Sequence, residues 1–457
     1  LGSATTVDTN SSDTTGDITI GAVTGTNINL TLVTTSTTGS ANHTFNGDIR
    51  LGSDGALSVT GDVVLGANVT VVGGGGVTFN NDINADNAAN NDRTLSLSSG
   101  QSSTITVTGN VGTSQALAGL TIIQSNQTTF SASVDVSDSN SGTITLTDTS
   151  NDKHIRFEGN LTADNLTTAS QGYRLFLIGD TTTFTNAVSF QNADNVALGN
   201  EAGDSLTFNG GLTTTGVSGG GTVFINGTIQ TSNDAIVFGA VTVNSNSTID
   251  TNATDGTGDI TIGAVTGGNN TLTLTTENNI SGADITASGN ISGVTTLTLS
   301  NVGGTATLSG DVDVTTLTVD NTVANVAFAG NGSTVTNAVS FANDGTLAIG
   351  ANGGTLTFNG GLTTTSVGST VTLGGGGANL GLETSNDAVV LGAVTLGSAT
   401  TINTNATNTT GDITIGAVTG GNNTLTLTTE NNITGSDITA SGNISGVTTL
   451  TLASVGG

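Results

Sequence analysis

The sequence predicts an all-β protein wound as a parallel β-solenoid of about 20 coils with very little helix. Three observations carry that expectation: long internal repetition, short runs of alternating apolar residues, and a composition that is rich in Gly yet lacks Pro, Cys, Met and Trp. Repetition comes first. Residues 258–304 recur at 411–457, an offset of 153, with only Ser281/Thr434, Ala283/Ser436, Ser300/Ala453 and Asn301/Ser454 exchanged, all between small side chains. Residues 1–16 match 396–411, and LTFNGGLTTT occurs at both Leu206 and Leu356. The expected organisation is therefore a partial repeat at 1–40 matching 396–430, divergent coils at 41–185, a long unit at 186–336 and a second, truncated unit at 337–457. A sequence that enters and leaves a unit partway reads as a piece of a longer array, and any export signal or anchor would lie outside it.

A shorter step lies inside the long one. Gly followed by Asp, Asn or Gly and then by Val, Ile or Leu returns about every 50 residues, which corresponds to two coils or slightly more. Units of this size bury their apolar face only against their neighbours.

Alternation supplies the strands. The runs from Ala56 (ALSVTGDVVLGANVTVV), Ile105 (ITVTGNV), Thr271 (TLTLTT) and Ala388 (AVVLGAVTL) place apolar residues at every second position, and Gly, Asn or Asp separates them. No stretch combines a helical period with capping residues. The remaining alternative is a string of tandem antiparallel β-sandwich domains. Such domains normally carry large core aromatics and Pro-marked turns, whereas this chain has 13 Phe, one Tyr, no Trp and no Pro. A stacked solenoid favours what the chain does have: Thr, Val, Ile and Asn in ladders, and Gly or Asn where the backbone turns with positive φ.

Charge bounds the partners. The net charge is −29, from 34 acidic against 5 basic residues, which disfavours nucleic acid and anionic membranes. No apolar run reaches membrane-spanning length, so no membrane insertion is expected of this segment. With no Cys and only two His, a zinc site is not expected.

The runs VTGNVGTSQALAGLTI from Val107, FNGGLTTT from Phe208 and Phe358, and SGNISGVTTLTL from Ser288 and Ser441 resemble the repeats of large bacterial surface proteins of the filamentous-haemagglutinin and β-strand-repeat type. That resemblance implies a right-handed parallel β-helix, export to the cell exterior, and a role as adhesin, matrix or sheath component. The expected function is thus a non-enzymatic extracellular scaffold forming filament, sheath or matrix on a bacterial surface. Its main partner would be itself, head to tail or laterally, because an open coil end is an unpaired sheet edge. The alternatives are a cell-surface adhesin binding glycans or neighbouring cells and, less favoured, a polysaccharide lyase.

Residues 151–174 are the least repetitive stretch. Lys153, His154, Arg156, Glu158, Tyr173 and Arg174 form the candidate binding set, suited to a carbohydrate or, in the lyase reading, to a base with cations that stabilise a developing charge. A polar coil edge with Arg and Glu paired at its surface explains the same residues. If 153–158 is a strand, His154, Arg156 and Glu158 share one face and Lys153, Ile155 and Phe157 the other. For metal, Asp311 and Asp313 share a strand face, and structural calcium between coils is the only cofactor the sequence suggests; solvated turn carboxylates account for them equally. Stacked TxT motifs such as Thr271, Thr273 and Thr275 would form a hydroxyl and methyl lattice of the kind ice-binding solenoids present, although Thr fills strand faces through its β propensity alone.

Overall fold

A computed structural model describes residues 1–11, 16–36, 42–86, 93–139 and 141–456. Parts of the expected 1–40 repeat, at 12–15 and 37–40, therefore lie outside the described residues. The described chain is all β, with no helix, and its strands stack in parallel as a β-solenoid of about 18 turns. No helix among the described residues is long and apolar enough to cross a membrane. Among the described residues every strand-to-strand pairing is parallel, and the lone antiparallel contact is an isolated bridge, Gly375 to Ala378, inside a turn. The sandwich alternative is thereby excluded, since sandwiches pair their strands antiparallel.

Two compact units divide the chain, Leu1–Ile229 and Gln230–Gly457. Within the first, each turn lays down three short strands on three faces. His154–Phe157, Leu161–Ala163 and Asn165–Thr168 make one such turn. The next turn repeats it with His154 opposite Arg174, Leu161 opposite Thr182 and Thr167 opposite Ser189. Alternation does the sorting: Ile155 and Phe157 are buried, and Arg156 between them points out. The interior is a stack of aliphatic side chains interrupted by rings that sit on rings. Phe130 and Phe157 are parallel at 4.9 Å, and Phe184 and Phe208 at 5.6 Å.

Corners are where the charge goes. Asp82 Oδ1 accepts the N–H of Asn110 one turn on, at 2.7 Å, and Asn160 Oδ1 accepts that of Thr181 at 3.1 Å. Such bonds satisfy the amides that turn away from the sheets, so the acidic residues serve as caps between successive turns.

The second unit has the same three-faced turn, and its near-identical copies reveal how the repeat fits it. In the first copy Ile260 stands on the first face, Val265 on the second and Leu272 on the third, in chain order. The first face continues in register from Ile260 through Ile285, Ala306, Val326, Leu347, Val371 and Val394 to Val418. Val418 is the counterpart of Val265, yet it stands in the column of Ile260. The second face runs from Thr266 through Ser292, Asp313, Thr334, Thr357, Glu383 and Asn403 to Thr428, so the strand Thr424–Thr428 lies on it. Its counterpart Thr271–Thr275 lies on the third face. Each residue of the second copy is therefore set back by one face. The 153-residue unit holds seven turns less one strand.

At the corner Gly310-Asp311 the backbones of successive turns nearly touch. A Cβ on Gly310 would lie 2.4 Å from the carbonyl carbon and oxygen of Gly289 in the turn beneath. Gly310→Ala is expected to destabilise the second unit by roughly 1–3 kcal/mol, measured as a lowered urea midpoint. An unchanged midpoint would mean that the turns separate more freely than this stacking implies.

Candidate functional site

In the first unit one outward column changes character partway along. Thr31, Ser58, Thr78, Thr106 and Thr129 follow one another in register, and then come Arg156, Phe176, Ala197 and Phe224. Phe176 and Phe224 are the two of the 13 Phe that lie outside the core. The hydroxyl ladder thus ends at the stretch singled out in the sequence, where Arg156 and Phe176 take its place.

Five of the six candidate binding residues gather there. His154 and Arg174 are directly opposite in neighbouring turns, and Arg156 is opposite Phe176. The guanidinium carbon of Arg156 sits 5.6 Å from the centre of the Phe176 ring, a cation–π contact. The His154 ring meets the same ring edge-on at 5.9 Å. Lys153 and Glu158 flank the strand, half-buried and exposed respectively. Tyr173 does not join them. Its ring is fully buried, its hydroxyl donates to the Leu146 carbonyl at 3.2 Å, and burial holds its phenol far above the usual range. Tyr173 is a core residue with a satisfied polar tip.

The two arginines of the cluster are committed to partners. Arg156 Nε lies 3.0 Å from Glu158 Oε1, too bent for a hydrogen bond but a close ion pair. Arg174 Nε donates to Asp194 Oδ2 at 3.2 Å, and the same guanidinium approaches Asp152 at 3.8 Å. Burial, reinforced by Arg156, holds the His154 pKa below its ordinary value, so the ring is neutral at physiological pH. Three cations and three carboxylates balance locally. What remains for a ligand is the Phe176 surface framed by the ion-paired guanidinium groups and the His154 ring, with Lys153 immediately before the same strand.

The predicted metal pair is placed differently. Asp311 Oδ1 accepts the N–H groups of Asn331 and Gly332 at 2.9 and 2.8 Å, and Asp313 Oδ1 accepts that of Thr334 at 3.0 Å. Both carboxylates cap the following turn rather than converge on a point. A different group of acids does converge: Asp180, Glu201 and Asp204 bring carboxylate oxygens within 4.8 Å of one another. Sequence reasoning missed it because Asp180 comes from the preceding turn. Asp204 is buried and already accepts the N–H groups of Asn200 at 2.7 Å and Glu201 at 3.1 Å, the pattern of a turn cap. Since the one buried acid of the three, Asp204, is already held by backbone amides, calcium chelation is expected to leave the melting temperature unchanged. A fall of several degrees, abolished in Glu201→Gln, would instead establish a cation at this cluster.

No protein-family model, curated protein or solved structure matches the chain.

Proposed function

We propose that this protein is a non-enzymatic structural repeat protein, an extracellular β-solenoid scaffold that forms filament, sheath or matrix on a bacterial surface. One observation carries the reading: polar chemistry that elsewhere would build a site is spent here on holding one turn to the next. Corner carboxylates and amides cap the backbone of the following turn, outward hydroxyls run in ladders, and the interior is continuous within each unit. A stack of this kind resists extension along its axis through parallel hydrogen-bond ladders. Electron microscopy of the purified protein, with and without a calcium chelator, tests it. Long uniform fibres support a scaffold, and particles that stay separate at high concentration would sink it.

The cluster at Phe176 favours a second reading, an adhesin with a glycan-binding patch. Arg156→Ala and Phe176→Ala separate the two. For a scaffold, both variants are expected to keep assembly intact and to change stability by less than about 1 kcal/mol. Loss of cell or glycan binding with stability preserved would move the assignment to the adhesin.

A further inference from the structure

The repeat's set-back by one face has a consequence for what its outer surface can touch. On the third face of the second unit, Thr248, Thr273, Thr298 and Thr318 stand in register on successive turns, beside a parallel row of Thr271, Thr296 and Thr316. In the second copy the corresponding lattice is on the second face, where Thr426 stands in register with Thr401 and Thr451, beside Thr424 and Thr449. One hydroxyl and methyl surface is thus presented on two sides of the same unit. A strip serving a partner that docks from one side would require a repeat of whole turns, and this repeat is one strand short of that.

We propose that this Thr lattice is a lateral contact between copies of this chain, offered on more than one side so that each copy can hold several neighbours. The inference rests on the scaffold reading above. Two features select a second copy as the occupant. The axial spacing of the lattice, about 4.8 Å, is matched by any other copy, and a hydroxyl is both donor and acceptor, so two such surfaces are self-complementary. In addition, these rows carry no charge on a chain of net charge −29, so they are where two copies approach with least repulsion. Repulsion from the rest of the surface is screened beyond about 8 Å at physiological salt, so association should strengthen as salt rises from low values to that level.

The test compares the wild-type chain, Thr273→Glu, Thr426→Glu and the double variant by sedimentation velocity and negative-stain microscopy at physiological salt. Circular dichroism would verify that each stays folded. Wild type is expected to associate side by side into bundles or sheets. Each single variant should thin these, and the double variant should reduce the associated fraction at least tenfold. If wild type associates laterally but the variants do so equally well, the contact lies elsewhere and the proposal falls while the scaffold reading stands. If one variant abolishes association and the other has no effect, the contact is one-sided and the proposal falls. Wild type that never associates overturns both readings. Inhibition of ice recrystallisation that is lost in the variants, with association unchanged, would assign the lattice to ice instead.

Discussion

Phe157→Ala is expected to destabilise the first unit by about 3–5 kcal/mol. Its ring is 1% exposed, lies within 5° of parallel to Phe130 at 4.9 Å, and has Leu177 in register on its other side. In a globular core the neighbours of a deleted ring relax inward from several directions. In a solenoid the turns above and below are held by continuous ladders at fixed spacing, so the stack cannot shorten to close the gap. The cavity term should therefore be near its full value. Because each turn contacts only its neighbours, the damage should also be local. Hydrogen exchange is expected to accelerate in the turns holding Phe130, Phe157 and Leu177 and to remain slow in the second unit. Uniform acceleration through both units would show that they unfold as one cooperative block. Phe157→Leu, which keeps most of the volume, should recover the larger part of the loss.

The strands were legible because their signal is local. The run from Ala388 became Val389–Leu391 and Val394–Leu396, and the alternation around Ile155 correctly set Ile155 and Phe157 inward and His154 and Arg156 outward. The loss of repetition in the sequence coincides with the point where the Thr ladder is interrupted by Arg156 and Phe176. Tyr173 misled because its type suggests a surface contact, whereas one backbone carbonyl, that of Leu146, was enough to make its hydroxyl at home in the interior. Asp311 and Asp313 misled for a related reason. A carboxylate at a solenoid corner has the amides of the next turn within reach, and those amides lie 20 or 21 residues away in the chain. The set-back of the repeat was not readable from its length. Coils of slightly different size allow 153 residues to hold seven turns or seven turns less a strand, and only the pairing register distinguishes them.

Asp250→Asn is expected to stabilise the second unit at neutral pH by about 2–3 kcal/mol, a gain from removing a native charge. Asp250 is 7% exposed, and burial, with Glu277 nearby adding to it, pushes its carboxyl up to about 6, while the N–H of Asn252 donates to Oδ1 at 2.8 Å. A carboxyl raised in the folded state binds its proton more tightly there than in the unfolded chain. Stability is therefore undiminished below the unfolded value near 4, falls as pH rises through about 6, and carries the whole cost at pH 7 and above. The chain contains its own control. At the corresponding place in the second copy stands Asn403, which accepts the Asn405 N–H at 2.9 Å and donates its own amide to Asn405 Oδ1 at 2.9 Å. The flanking residues repeat as well: Asn252 donates to the Thr231 carbonyl at 3.1 Å, and Asn405 to that of Thr384 at 3.0 Å. An amide is thus proven in the same local backbone, and Asn at 250 can keep the bond to Asn252 without a buried charge. Urea unfolding of wild type and Asp250→Asn should give midpoints that coincide near pH 4 and separate above pH 6, with the variant higher. Equal midpoints at pH 7.5 would mean that the carboxylate is solvated better than its burial implies. A lower midpoint for the variant at every pH would mean that the charge makes a stabilising contact, and the reason for keeping an acid in one copy and an amide in the other would have to be sought in that contact.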